Sequence, residues 1–196
     1  MTSPECKIAL ICLGSNEESA WGDAMATVQK AMLKVGALSE LPAKSSALYA
    51  TPAFPAGAGP DFVNAAMAIF TTLSPSALLE HLHRIEAAAG RERTKRWGQR
   101  TLDLDLIAVG DGILPDAETY AYWRDLSLQE QMIETPSQLI LPHPRMQDRA
   151  FVLVPLCDVA PDWRHPVLGR SVARICADLP LAARAEVTPL VAPNAP

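Results

Sequence analysis

Aromatic residues are scarce in this sequence, 6% of 196 positions, and the 17 basic residues are outnumbered by 22 acidic ones, for a formal net charge of −5. A protein that carries nucleic acid on its surface needs a broad basic face and aromatic platforms for the bases, so both shortages argue against that class. The negative balance also disfavours an anionic membrane surface as partner. Long hydrophobic runs are missing. The first apolar stretch, Ile8 to Leu13, has six residues and follows an acid rather than a basic segment. It is too short for a signal-peptide core or a membrane span. The four cysteines, Cys6, Cys12, Cys157 and Cys176, form no C-x-x-C pair and no zinc-like spacing. With no export signal they are expected to be reduced thiols in a cytoplasmic protein. The familiar nucleotide loops are absent too: there is no G-x-x-x-x-G-K-[ST], and Gly57-Ala-Gly-Pro-Asp-Phe62 fails the dinucleotide fingerprint at its last glycine. His81 and His83 would lie roughly 200° apart around a helix and cannot share a metal. Ser15 has no nearby histidine, so neither zinc nor serine chemistry is expected.

What is present is ample apolar content, 49%, in a length that suits one domain. Lys7 to Leu13 reads as a buried strand stopped by Gly14-Ser15-Asn16. Met25, Val28, Met32 and Val35 recur at helical spacing, with Gly36 as the stop. Ser46 to Thr51 reads as a second strand with a rigid exit at Pro52, Ala53 to Pro60 as loop, and Val63 to Thr71 as a third strand. Ser74-Pro75 supplies an N-cap and a first-turn proline for a helix with Leu78, Leu82, Ile85 and Ala89 on one face, ending at Gly90. Thr101 to Val109 alternates as a strand. The order β-α-β-β-α-β predicts an α+β fold, a ferredoxin-like βαββαβ sandwich with an antiparallel-dominated sheet and a C-terminal extension. Residues 1–178 are expected to form a single domain with an extended insertion at 111–137, which carries a short helix around Tyr122 to Met132 and caps the sheet edge, ahead of the alternative that it binds a partner. Phe151 to Leu156 is expected as an added edge strand, Arg170 to Asp178 as a short helix, and 179–196 as a loose tail.

The most informative segment is Arg100-Thr-Leu-Asp-Leu-Asp-Leu106. Alternation in a strand turns Leu102, Leu104 and Leu106 to one side and Asp103 and Asp105 to the other, with about 7 Å between the two aspartate Cα atoms. Carboxylates that close repel unless a cation lies between them, and Mg²⁺ commonly bridges such groups to phosphate oxygens. The preceding segment, Arg91 to Arg100, holds five basic residues and one acid, a local charge of +4 in a protein of −5. Arginines clamp phosphate oxygens, so a cationic segment feeding a two-carboxylate strand suits a metal–polyphosphate ligand. Trp97 could stack on a flat ring. His143 is set between two prolines in a rigid turn that suits a positioned side chain.

Taken together, the residues resemble a known family, the 6-hydroxymethyl-7,8-dihydropterin pyrophosphokinases of folate biosynthesis. The resemblance spans most of Ile8 to Asp162. It rests on Leu13-Gly-Ser-Asn16, Tyr49-Ala-Thr-Pro52, Pro60-Asp-Phe-Val-Asn-Ala65, Arg84-Ile-Glu86, Arg96-Trp-Gly-Gln-Arg-Thr-Leu-Asp-Leu-Asp-Leu106, Leu141-Pro-His-Pro-Arg-Met146 and Arg149-Ala-Phe-Val-Leu-Val-Pro-Leu156. It implies an ATP- and magnesium-dependent transferase that moves the β,γ-diphosphate of ATP to the pterin hydroxymethyl group and releases AMP. By resemblance, Asp103 and Asp105 bind two Mg²⁺ ions, and Arg91 and Arg100 assist the transfer. Arg93, Arg96, His143, Arg149, Glu86 and, more weakly, His83 match ATP-side positions. Thr51, Pro52, Phe62, Asn64, Trp97 and Phe151 match the pterin pocket, where a flat, polar-edged ring wants aromatic faces and an amide. The loops 53–60 and 91–98 are expected to close over the substrates. The implied partners are the two small-molecule substrates, with no nucleic acid and no membrane, acting on a monomer. An inactive relative that binds nucleotide or pterin ranks behind, since the aspartates and arginines are retained; a ferredoxin-like nucleic-acid module ranks far behind. The chain departs from the family in a longer 111–137 excursion, with Tyr120, Tyr122 and Trp123, and in Gln138 and Ile140 at positions that are polar or basic in some relatives.

Overall fold

The apolar run near the N-terminus forms most of β1 (Lys7–Ser15), an interior strand of an antiparallel sheet, where burial on both faces suits the run from Ile8 to Leu13. A computed structural model describes residues 5–53, 59–90 and 101–190. After β1 come α1 (Ala24–Gly36), β2 (Lys44–Ser45), β3 (Tyr49–Thr51), β4 (Phe62–Thr71), α2 (Pro75–Ala88) and β5 (Asp103–Val109). Asp23 caps α1 and Ser74 caps α2, each accepting a first-turn N–H. The sheet order is β5-β1-β4-β3-β6, with β2 also on β4, and all pairings are antiparallel. This is the expected ferredoxin-like arrangement.

The second strand is broken rather than continuous. Ser46 lies between β2 and β3, and its side-chain Oγ accepts the Ala66 N–H at 2.8 Å while its own N–H donates to the Ala66 carbonyl at 2.9 Å. A hydroxyl thus replaces a ladder carbonyl and bends the strand.

Two cores sandwich the sheet. Ala9, Ile11 and Leu13 pack with Val28, Ala31 and Val35 of α1 and Leu78 and Leu82 of α2 on one face. Leu10, Cys12, Ala66, Ala68 and Ile107 face the other side. That second face corrects an expectation: Phe151 to Leu156 is not an edge strand but part of α5 (Ala150–Val159). A six-residue apolar run fits a buried strand or a buried helix equally well. Helix wins because the far face of the sheet is apolar and must be covered, and Val152, Leu153, Leu156 and Val159 cover it.

The 111–137 excursion holds two helices, α3 (Ala117–Asp125) and α4 (Leu128–Ile133), where a single one around 122–132 was expected. Ser127 breaks the two with a capping box to Glu130. It does not pair with β5 itself. The outer edge of β5 is met by the Pro-His turn, whose His143 N–H donates to the Ile107 carbonyl at 2.7 Å, and Leu114 of the excursion pairs with Leu141 beyond it. The C-terminal part forms α6 (Val172–Asp178), α7 (Leu181–Ala185) and β6 (Thr188–Pro189). Residues 179–190 are therefore no loose tail: β6 pairs with β3, and Val187 is buried beside Tyr49 and Ala150. Residues 191–196 lie outside the described residues. Among the described residues no helix is long and apolar enough to cross a membrane.

Candidate active site

The site grows from cross-strand register. Gly14 of β1 faces Asp103 on β5 and Asn64 on β4, and one step down Cys12 faces Asp105 and Ala66. Leu104 and Leu106 belong to the core under α1 and α2, so Asp103 and Asp105 project from the opposite face, the one covered by α5. Asp103, Gly14 and Asn64 thus form a row across the sheet. The thiol of Cys12 reports on this neighbourhood: burial pushes its pKa well up, Asp105 pushes the same way, and Arg149 opposes them. Arg149 stands at the N-cap of α5, and its guanidinium lies over the Phe151 ring, 5.6 Å from the centroid.

At the pterin-matching end, Asn64 is buried and its amide N–H donates to Thr51 Oγ1 at 2.7 Å. Thr51 is buried and pairs with Phe62, whereas Pro52 is exposed and Phe151 is 40% exposed. Asn64, Thr51 and Phe62 therefore come together. The Asn16 amide donates to the Pro60 carbonyl at 3.3 Å and ties the end of the following loop to the end of β1.

Along the outer edge of β5 runs a cleft of about 600 Å³, lined by Glu86, His83, Asp103, Asp105, His143 and Arg149 among others. All four ATP-side candidates among the described residues meet there, whereas His81 does not line it. Glu86 is 2% exposed and accepts the Leu104 N–H at 2.8 Å, so a helix carboxylate caps an edge-strand donor that has no strand partner on that side. His143 Nδ1 accepts the Arg145 N–H at 3.2 Å, which leaves the ring proton on Nε2 as a donor. Burial pushes the His143 pKa down to about 3, Arg149 and Arg145 lower it further, and Asp103 acts the other way. The ring is therefore neutral at physiological pH and offers a hydrogen bond, not a charge.

The two carboxylates suit a magnesium–polyphosphate. Among the described residues no three His, Cys, Asp or Glu side chains cluster for a metal. A pair of carboxylates is a donor set of the kind Mg²⁺ accepts, since it keeps waters and binds through one or two carboxylates plus substrate phosphates. Arg91, Arg93, Arg96, Trp97 and Arg100, and with them most of the 53–60 and 91–98 loops, lie outside the described residues.

Three contributors were given no role in the site from the sequence. Gly14 has to be small: a Cβ there would come within 3.0 Å of Asn64 Oδ1. Ile107 sits at a register shift between Leu10 and Ile11, which places Ile107 and Ala108 on the same side and turns a carbonyl toward His143. Trp123 of the excursion lines the cleft. The aromatic could be noticed in the sequence, but only the packing of α3 brings it to this place.

Known proteins resemble this chain in sequence and in architecture. The family described as 7,8-dihydro-6-hydroxymethylpterin-pyrophosphokinase (HPPK) matches residues 10–161. A 2-amino-4-hydroxy-6-hydroxymethyldihydropteridine pyrophosphokinase of Synechocystis sp. is 34% identical over 171 residues, 87% of this chain and 75% of the relative. One of Methylorubrum extorquens is 38% identical over 152 residues, 74% of this chain and 82% of its own. One of Pseudomonas aeruginosa is 42% identical over 121 residues, 62% of each chain. In structure, Plasmodium falciparum HPPK-DHPS with pteroate superposes with a TM-score of 0.60 at 13% identity over 90% of this chain, which spans 44% of that longer one. That likeness speaks for the fold. The sequence matches speak for descent: the chain belongs to the 7,8-dihydro-6-hydroxymethylpterin-pyrophosphokinase family.

Proposed function

We propose that this chain transfers the β,γ-diphosphate of ATP to the hydroxymethyl group of 6-hydroxymethyl-7,8-dihydropterin, with release of AMP, as a step of folate biosynthesis. The observation that carries the reading is the row Asp103–Gly14–Asn64, which sets the carboxylates of the polyphosphate cleft beside the amide of the pterin-matching pocket on one sheet face. The hydroxymethyl oxygen forms its bond to the β-phosphorus and releases its proton to solvent as the bond from that phosphorus to the oxygen bridging it to the α-phosphate breaks, and AMP leaves with that oxygen. Such a transfer asks mainly for alignment and charge neutralisation. Asn64, fixed by Thr51, reads the pterin edge, and Phe62 and Phe151 bracket its faces; Pro52 borders the same pocket. His143 donates from Nε2 and Arg149 adds positive charge on the phosphate side, with Glu86 and His83 along the cleft. Asp103 and Asp105 would hold two Mg²⁺ ions, which supply charge neutralisation on the phosphate oxygens when bound. Arg91, Arg93, Arg96 and Arg100 complete the phosphate clamp in this reading, and Trp97 the pterin stack. We place the enzyme in the cytoplasm as a monomer acting on two small molecules.

Incubation with Mg-ATP and the hydroxymethyl dihydropterin is expected to yield AMP and the pterin diphosphate in equal amounts. ATP consumed to ADP, or left intact, would refute the reading. Asp103→Asn and Asp105→Asn are each expected to lower turnover by about 100-fold or more while circular dichroism stays unchanged. Turnover within a few-fold of wild type would put the metal elsewhere.

A further inference from the structure

The cleft beside β5 is built by several parts of the chain. The edge of β5, the Pro-His turn and the start of α5 contribute Asp103, Asp105, His143 and Arg149, and α2 adds His83 and Glu86, while the excursion contributes Trp123. The helix that carries Trp123, α3, is anchored at Tyr120 and at Tyr122. Tyr120, on the same helix, is fully buried, and its hydroxyl is 2.9 Å from His165 Nε2. The Tyr122 ring meets Trp123 edge-on, with centroids 5.4 Å apart and planes at 84°. The Tyr122 hydroxyl in turn donates to Glu134 at 2.6 Å, which ties α3 to the segment after α4. A partly exposed aromatic on an anchored helix at the wall of a cleft offers a stacking surface.

We infer that Trp123 is the wall against which the purine base of the nucleoside triphosphate rests, so the excursion sets nucleotide affinity and base preference. This rests on the pyrophosphokinase reading above. The charged groups engage the triphosphate, which leaves the base as the flat, weakly polar part of the ligand. The excursion is the part of the cleft with a matching flat face. A purine overlaps an indole more fully than a pyrimidine does, so the wall favours ATP over CTP and UTP.

The test compares wild type, Trp123→Ala and Trp123→Phe by calorimetric titration with a non-hydrolysable ATP analogue and with inorganic tripolyphosphate, both with Mg²⁺. Trp123→Ala is expected to weaken the analogue roughly ten-fold and to leave tripolyphosphate unchanged, with most of the affinity restored in Trp123→Phe. In steady state the KM for ATP rises, the KM for the pterin stays put, and the preference over CTP shrinks. Should the alanine variant fail to fold, Trp123→Leu keeps the bulk without the π face and is expected to show the same selective loss. Unchanged affinity for the analogue, or equal weakening of tripolyphosphate, would overturn the inference. A wild-type protein that forms no AMP would fail the reaction assignment instead, and the binding comparison would still report on the base wall.

Discussion

Gly14 lies between Asp103 on one neighbouring strand and Asn64 on the other, and the space it leaves is occupied by the Asn64 amide. A Cβ at this position would press on Asn64 Oδ1 at 3.0 Å and reach Phe62 Cδ1 at 4.0 Å. Gly14→Ala is therefore expected to leave the fold intact, since the backbone needs no unusual conformation, but to displace the amide and raise the KM for the pterin several-fold. The KM for ATP should not move; steady-state kinetics with each substrate varied in turn checks both. The aspartates were legible from residue order because alternation assigns faces without knowledge of neighbours. The need for glycine at position 14 was not, since it depends on which strands flank β1 and in what register.

Among elements, α2 shows how a helix completes an edge strand. Its Ser74 cap and Pro75 set the start, and the face with Leu78 and Leu82 binds it to the sheet. One further turn carries buried Glu86 to the Leu104 N–H. Glu86→Ala would orphan that donor, a loss of about 1–3 kcal/mol, which in a chain of this size lowers Tm by several degrees. Glu86→Gln keeps an acceptor oxygen and should recover most of that loss; thermal melts of the two variants decide. The element least legible beforehand is α5. It contains Pro155, which locally opposes a helix, and its run of apolar residues has no single polar face. Only the uncovered apolar side of the sheet makes a helix there the stable choice.

At the scale of the molecule, His165 connects the excursion to the C-terminal half. The ring is fully buried, its Nδ1 accepts the Val167 and Leu168 N–H groups at 3.2 Å, and Nε2 faces the Tyr120 hydroxyl. Burial pushes its pKa down to about 4, and Arg124 and Arg170 add to the effect. Below its unfolded value near 6.5 the unfolded chain binds a proton that the native chain refuses, so stability is full above that pH and falls as pH drops toward 4. The slope from this group reaches about 1.4 kcal/mol per pH unit. Urea unfolding between pH 7.5 and 4.5 should show this fall, and His165→Gln should flatten part of it. A fall as steep in the variant would assign the acid sensitivity to other groups.

Order and period along the chain were enough for the βαββαβ sequence, the helix caps at Ser74, the strand that carries Asp103 and Asp105, and the family motifs. Each of these is a local pattern, readable because side-chain direction in a helix or strand follows from the backbone alone. Tertiary structure decided the rest: α5 as a helix, the ordered residues 179–190 that add β6 to the sheet, Gly14 beneath Asn64, and Trp123 at the cleft. These depend on which surfaces meet, and burial of apolar area and satisfaction of edge hydrogen bonds are settled between segments distant in sequence.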